Sequence, residues 1–146
     1  MRIAVVTGSR ADYGLLEWPV KVLREHFQVD LWRLWSNPFN KAFEWAQMKI
    51  DKGKPDLMLV LGDRFEVLGA ATAAHLSRLS IAHIGGGDVT EGSYDDAMRD
   101  AISRMANIHF VTSTSAMARL THLGCRNLHL VGNPGIDYIR HADWKR

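Results

Sequence analysis

Six short apolar runs recur along the chain, and stretches with helical spacing of apolar residues separate them. The runs lie at 2–7, 28–34, 57–61, 80–84, 108–112 and 128–131. The first and third runs are almost continuously apolar, which is typical of strands that helices cover on both faces, as in parallel sheets. The alternation therefore predicts a single α/β domain over residues 1–146, with a Rossmann-like, doubly wound parallel sheet of about six strands. The run at 28–34 alternates in polarity, which favours a position near an edge of the sheet.

The composition agrees with one globular domain and argues against several classes of protein. With 146 residues, of which 47% are hydrophobic, the chain can form a substantial core. Its net charge of +2 and its dispersed arginines and lysines give no basic face, so we expect no nucleic-acid partner. The one cysteine, Cys125, excludes an internal disulfide and favours a reducing, cytoplasmic location. No apolar run approaches the roughly 18 residues that span a bilayer, and we expect neither a signal peptide nor a membrane partner.

Proline and small polar residues predict where several helices begin. Pro19 is expected in the first turn of a helix that follows a loop over 8–14. Asn37 and Pro38 predict a cap and a first helical residue, respectively. Ser93 and Asp96 have the spacing of a capping box for a helix over 94–106. Further helices are predicted over 65–77 and 113–123, and residues 136–146 are expected to form a short helix or a tail.

Parallel sheets bind ligands beyond the carboxyl ends of their strands, where the predicted loops are 8–14, 62–66, 85–92, 112–115 and 132–137. The loop at 85–92 contains Gly85, Gly86 and Gly87, followed by Asp88 and Glu91. Three glycines cost conformational entropy, and a plain connection would not need them. We therefore expect this loop to contact a ligand.

Four residues of the loops at 8–14 and 62–66 each have a functional and a structural interpretation. Arg10, with neighbouring backbone N–H groups, would hold a phosphate, or it is a surface charge. Asp12 and Tyr13 would orient Arg10 or a sugar, or they are a helix cap and a packed aromatic ring. Asp63 would act as a general acid or base, or it is a helix N-cap.

The other candidates also have structural alternatives. His83, near a strand end, is more often a satisfied core residue than a catalyst. Asp95 and Asp96 favour the dipole of the helix that follows them, and Arg99 lies four residues after Asp95, so an ion pair is available there. Arg64 and Glu66 are expected to be surface or salt-bridging residues. No metal-ligand spacing and no nucleophile elbow occurs, and Cys125 is expected to be inert.

Five blocks of sequence occur in an order that resembles the UDP-N-acetylglucosamine 2-epimerase family. They are TGSRADYGLL from Thr7, LGDRFEVLGAATAA from Leu61, IAHIGGGDVTEGSYDDAMRDAIS from Ile81, HFVTS from His109 and VGNPGID from Val131. The nearest branch is the hydrolysing one that feeds sialic acid synthesis, and the resemblance covers most of the chain.

This resemblance implies a fold like one half of a GT-B-type protein, in which two Rossmann-like domains enclose the active site. It implies action on UDP-GlcNAc: elimination of UDP to a 2-acetamidoglucal, then hydration to N-acetylmannosamine. No metal or redox cofactor is implied. Arg10 would meet phosphate, Asp63 would be an acid/base residue, Asp95 and Asp96 match an acidic pair, and Asp88 stands where the branch usually has glutamate.

The residue patterns and the resemblance together give the candidate site. The catalytic candidates are Asp63, Asp88, Asp95 and Asp96, and the substrate-binding candidates are Arg10, Asp12, Tyr13, Arg64, His83, Gly86, Gly87, Glu91 and Arg99.

The chain also departs from the family pattern. Gly85 stands where many relatives have a catalytic-site glutamate, so Asp88 or Glu91 would have to substitute for it. Asp100 replaces a common histidine, and the segment 31–54 looks shortened. The second, nucleotide-binding domain is expected to be absent, so we expect a partner: a second copy or a separately encoded domain. The alternatives are a catalytically inactive nucleotide-sugar or phosphate binding or regulatory module, and a fragment.

Overall fold

A computed structural model describes residues 1–141 and shows one six-stranded parallel sheet with helices on both faces. The strands are β1 Arg2–Thr7, β2 Gln28–Arg33, β3 Leu57–Leu61, β4 Ser80–Ile84, β5 Ile108–Val111 and β6 Leu128–Leu130. The helices are α1 Arg10–Arg24, α2 Phe39–Gly53, α3 Phe65–Leu76, α4 Asp96–Met105, α5 Thr114–His122 and α6 Pro134–His141. The strand order is β2-β1-β3-β4-β5-β6, so the predicted α/β sheet and the edge position of β2 are both confirmed.

Alternate side chains of the strands form separate cores on the two faces of the sheet. On one face, Ala4 and Val6 of β1 pack with residues of α2 and α3, and the alanines of α3 are fully buried. A Cβ added to Gly69 of α3 would lie 2.7 Å from the backbone oxygen of Phe39, so α2 and α3 pack very closely. On the other face, Ile3 and Val5 pack with residues of α1. The two layers of helices fix the sheet and therefore the loops at its carboxyl edge.

The predicted start of the first helix is wrong. Helix α1 begins at Arg10, and Ser9 caps it by accepting a hydrogen bond from the Asp12 backbone N–H at 3.1 Å. Pro19 consequently lies inside the helix rather than in its first turn. Proline is a start signal only where no better cap precedes it, and a serine side chain at the N-cap is a stronger determinant. The alternative that made Asp12 the cap is wrong for the same reason.

Two other predicted caps are also wrong. Pro38, not Asn37, occupies the N-cap of α2, and no side chain caps that helix. Helix α4 begins at Asp96, two residues later than predicted, because the Ser93 hydroxyl accepts from the Asp95 N–H at 3.1 Å and closes a local turn instead of a capping box.

The last helix begins earlier than predicted, at Pro134, and the end of its predicted range, 142–146, lies outside the described residues. Over residues 1–141, none of the helices combines the length and the apolar character that a bilayer crossing requires.

Candidate functional site

The parallel sheet brings the predicted loops to one edge. The segments that follow β1, β3, β4 and β5 begin at Gly8, Gly62, Gly85 and Thr112, and these four strands are neighbours in the sheet. Residues that are far apart in sequence, such as Asp63 and Arg99, therefore meet there. Among residues 1–141, no group of three or more histidine, cysteine or carboxylate side chains is arranged to hold a metal ion.

Arg99 of α4 is the centre of an ion-pair network at this edge. Its side chain is buried, and Nη1 lies 2.7 Å from Asp96 Oδ1 and also donates to the backbone oxygen of Asp88. Its Nη2 group contacts the Asp63 carboxylate and lies 3.3 Å from the Thr90 hydroxyl. The network, which we call the Arg99 cluster, joins β3, the loop after β4 and α4.

The Arg99 cluster corrects two expectations. Arg99 pairs with Asp96 and Asp63 rather than with Asp95. Asp63 is not the N-cap of α3: Arg64 occupies that position, and no side chain caps the helix. An acid/base role for Asp63, Asp95 or Asp96 stays a prediction.

Asp88 lies beside this network with one oxygen held and the other available. Its Oδ1 accepts a hydrogen bond from the Thr112 hydroxyl at 2.5 Å. Its Oδ2 lies 3.7 Å from the point that a Cβ at Gly85 would occupy and makes no hydrogen bond to residues 1–141. A carboxylate that is oriented through one oxygen can accept or release a proton at the other. Thr112 was not a candidate, although its position directly after β5 places it at this edge.

Two of the three consecutive glycines have a structural cause. A Cβ on Gly86 would lie 2.7 Å from the Ser103 hydroxyl and 3.0 Å from His83 Nδ1. A Cβ on Gly87, where φ is +78°, would lie 2.4 Å from the backbone oxygen of Ala116. Packing against Ser103, His83 and α5 therefore requires glycine at these two positions, in addition to any contact of the loop with a ligand. Direct substrate contact by Gly86 or Gly87 stays a prediction.

His83 is fully buried in the core, as its structural alternative proposed. Its Nε2 lies 2.8 Å from the Gly62 carbonyl, which can only accept, and its Nδ1 lies 3.0 Å from the Ser103 hydroxyl. Burial lowers the pKa of His83 to about 4, more than the hydrogen bond to Gly62 raises it. The ring therefore ties β4 to β3 and α4, and it would have to leave both partners to contact a substrate.

Arg64 and Glu66 form a salt bridge, as the structural alternative for them predicted. Arg64 Nη2 and Nε lie 2.9 and 3.2 Å from the two carboxylate oxygens of Glu66, whose side chain is fully buried. Asp12 Oδ2 is also buried and has no hydrogen-bond partner among residues 1–141. Burial raises the pKa of Asp12, the Ser9 hydrogen bond and the Arg64 charge lower it, and the Asp63 charge raises it.

A second group of charges lies over the ends of β1 and β2. The guanidinium carbon of Arg10 is 5.6 Å from the centre of the Trp35 ring, and that of Arg33 is 5.8 Å from it. Arg33 also lies 5.5 Å from the Tyr13 ring. Neither Arg33 nor Trp35 was a candidate, because the first was assigned to a strand and the second to a connection. Glu91 is exposed.

The model of the UDP-N-acetylglucosamine 2-epimerase family matches residues 41–145. This chain belongs to that family. Two curated relatives cover 94% of this family member: a UDP-N-acetylglucosamine 2-epimerase of Neisseria meningitidis at 36% identity, and a hydrolysing UDP-N,N'-diacetylbacillosamine 2-epimerase of Legionella pneumophila at 30%. The chain spans about half of their length, 46% and 47% respectively.

Solved structures show the same fold. A Neisseria meningitidis UDP-GlcNAc 2-epimerase bound to UDP-GlcNAc matches with a TM-score of 0.86 at 18% identity, over 96% of this chain and 48% of that one. A Listeria monocytogenes protein, described as a 2-epimerase of this kind, matches with a TM-score of 0.85 over 99% and 49% of the two chains. The prediction that the fold resembles one half of a GT-B-type protein is confirmed.

The alignment with the Neisseria relative extends over 176 positions, more than the 146 residues of this chain. The family member therefore lacks residues that the relative has inside the aligned region. This supports the predicted internal shortening, but its location at 31–54 stays a prediction.

Proposed function

We propose that this family member binds UDP-GlcNAc, or a closely related nucleotide sugar, at the carboxyl edge of its sheet and supplies the acid/base carboxylate of a hydrolysing 2-epimerase reaction. In that reaction the C2–H bond and the bond between C1 and the UDP oxygen break, and a C1=C2 double bond forms. Water then adds across this bond to give N-acetylmannosamine. The C2 proton needs a base, and the departing diphosphate needs nearby cations.

The observation that carries the proposal is the position of Asp88. Its free Oδ2 lies beside Gly85, the position where the family resemblance places a glutamate in many relatives. Gly85 has a φ of +79°, a conformation that disfavours any residue with a side chain. The Asp88 carboxylate, three residues later, lies beside the space that a side chain at position 85 would occupy, and the Thr112 hydroxyl fixes its orientation. Asp63 is less free to move a proton because Arg99 holds it.

The proposed site needs residues from a second protein domain or chain. The chain spans about half the length of its curated relatives, and the resemblance places the rest of the nucleotide site in a second domain. We propose that a second copy of this chain supplies it; a separately encoded domain is the alternative, under which the chain alone would bind the nucleotide sugar and form no product. Sedimentation with and without UDP-GlcNAc tests this step, because an active monomer would contradict it.

A proton NMR time course of the chain with UDP-GlcNAc in D2O tests the reaction. We expect UDP and N-acetylmannosamine with deuterium at C2, formed by the wild type and not by Asp88→Asn. Asp51→Asn, which removes an exposed carboxylate at the end of α2, is the matched control and should retain activity. The variant Glu91→Gln tests the other acid that could replace the missing carboxylate at position 85. A loss of activity in Glu91→Gln but not in Asp88→Asn would assign the acid/base role to Glu91.

One observation favours a second function, a binding module without catalysis. Asp63, the acid/base residue that the resemblance implies, is bound in the Arg99 cluster, and Gly85 provides no carboxylate. This alternative predicts broadening of the uridine signals in the same experiment without any product. If neither broadening nor product is observed, the nucleotide-sugar proposal is wrong.

A further inference from the structure

Two guanidinium groups share one indole ring at the corner formed by β1 and β2. Arg33 is the last residue of β2 and is paired in the sheet with Thr7, the last residue of β1. The Trp35 Nε1 group lies 3.4 Å from the Thr7 hydroxyl, which anchors the ring to the end of β1. Arg10, the first residue of α1, reaches the same ring from the other strand end. We call Arg10, Arg33 and Trp35 the arginine corner.

The charges of the arginine corner are not neutralised within the described chain. Neither Arg10 nor Arg33 has a carboxylate oxygen within salt-bridge distance among residues 1–141, whereas Arg2 and Arg64 each have one acidic partner and Arg99 has two. The acid nearest to Arg10 in sequence, Asp12, is influenced by the charges of Arg64 and Asp63 instead. Both arginines of the corner are exposed, so an incoming anion can reach them.

The two guanidinium groups bring two positive charges to one indole ring, and contacts with an aromatic ring return only about 0.5–1 kcal/mol each at exposed sites. An anion that contacts both guanidinium groups would neutralise charges that no carboxylate of residues 1–141 neutralises. Each planar guanidinium can donate two parallel hydrogen bonds to phosphate oxygens, which lysine cannot do. The aromatic contacts with Trp35 and Tyr13 also restrict the side chains before binding, which reduces the entropy lost on binding.

We infer that Arg33 joins Arg10 to bind the diphosphate group of the ligand, with Trp35 as the support of both side chains. The inference rests on the proposed function only for the identity of the ligand, since a diphosphate is the anionic part of a nucleotide sugar. Its new element is Arg33: the sequence had indicated phosphate binding for Arg10 alone. A single guanidinium can bind one phosphate group through two hydrogen bonds. Because a diphosphate has two phosphate groups, a second guanidinium, that of Arg33, can bind the second group.

Titration of the ¹⁵N-labelled chain with inorganic pyrophosphate tests the inference without any sugar. We expect the Trp35 indole N–H signal and the Arg10 and Arg33 Nε–H signals to shift together. Arg33→Gln should weaken binding by about 10-fold or more, as expected for the loss of charge-assisted hydrogen bonds. Arg33→Lys should bind with intermediate affinity, because it keeps the charge and loses the fork. Trp35→Phe assigns the indole signal.

The matched control is Arg126→Gln, which removes the same charge from an exposed position between α5 and β6. It should change the affinity by less than about 2-fold, since a distant surface charge is screened by salt. The inference is overturned if wild type does not bind pyrophosphate, if Arg33→Gln binds it as tightly as wild type, or if Arg126→Gln weakens it equally.

The same variants separate this inference from the proposed function. Pyrophosphate binding that depends on Arg33, in a chain that neither binds nor converts UDP-GlcNAc, would support the arginine corner and contradict the proposed function. Binding of UDP-GlcNAc that is lost in Arg10→Gln but unchanged in Arg33→Gln would support the proposed function and contradict the inference about the arginine corner.

Discussion

The carboxyl edge of the sheet contains two charged sites that differ in what contacts the arginine side chains. Carboxylates pair with Arg99, whereas aromatic rings contact Arg10 and Arg33. In the Arg99 cluster the arginine is 6% exposed, and its guanidinium contacts oxygens of Asp63, Asp88, Thr90 and Asp96. In the arginine corner both guanidinium groups are exposed and contact aromatic rings. A buried cation requires partners because it has lost its water, whereas an exposed one remains hydrated until an anion arrives. The comparison separates charges that hold the fold from charges that are available to a ligand.

Removal of the central cation should have the largest effect on stability. Arg99→Met leaves Asp63 and Asp96 close together without a positive charge, and we expect a loss of about 4 kcal/mol, within the range for a broken buried ion pair. Urea unfolding measures it. Arg104→Met, on the same helix but exposed, is the control and should lose less than about 1 kcal/mol. Equal stability of Arg99→Met and wild type would remove the distinction between the two groups.

Acid should weaken the region around the Arg99 cluster through His83. Burial lowers the pKa of His83 from 6.5 to about 4, so on acidification the unfolded chain binds the proton first. The stabilising effect is complete above about pH 6.5 and is lost as the pH falls toward about 4, a total of roughly 3 kcal/mol.

Unfolding curves for wild type and His83→Gln across this pH range measure that contribution. The variant should be less stable at neutral pH and should lose less stability on acidification. Parallel curves for the two proteins would show that His83 is not the group responsible.

Two glycines of the loop at 85–92 separate the energetic cost of a steric clash from the cost of an unfavourable backbone conformation. Gly87 and Gly92 have nearly the same φ, +78° and +77°, but only a Cβ on Gly87 would meet other atoms, at 2.4 Å. Gly92→Ala should therefore lose about 1 kcal/mol from the backbone alone, and Gly87→Ala about 2 kcal/mol more from the clash with α5. Thermal unfolding of the pair measures the difference. If both variants lose the same amount, the close approach of the loop to α5 is wrong.

The smallest expected effect is at the arginine corner. Arg33→Gln removes no ion pair and loses only exposed contacts with the Tyr13 and Trp35 rings, so we expect its free energy of unfolding to stay within about 1 kcal/mol of wild type. Urea unfolding at low salt measures this. A loss comparable to that of Arg99→Met would show that Arg33 stabilises the fold and is not free for a ligand.

The sequence predicted the sheet well because buried parallel strands have a local signature, and the run 57–61 corresponds to β3 without any correction. Helix starts were predicted less well, since Ser9 and Pro19 compete and only the serine cap decides. The partners of Arg99 could not be predicted, because they depend on how the loop after β4 folds back onto α4. Arg33 and Trp35 were missed because their meeting with Arg10 is a contact between the ends of two strands.

The most direct test of the account is a titration of the ¹⁵N-labelled chain with UDP-GlcNAc, followed at every backbone amide. We predict the largest shifts at the carboxyl edge, at residues 8–10, 33–36 and 85–88. Amides at the opposite edge, such as those of Asp56 and Arg78 in a groove there, should not respond. Shifts confined to that groove, or no shifts at saturating ligand, would contradict the assignment of the carboxyl edge as the nucleotide-sugar site.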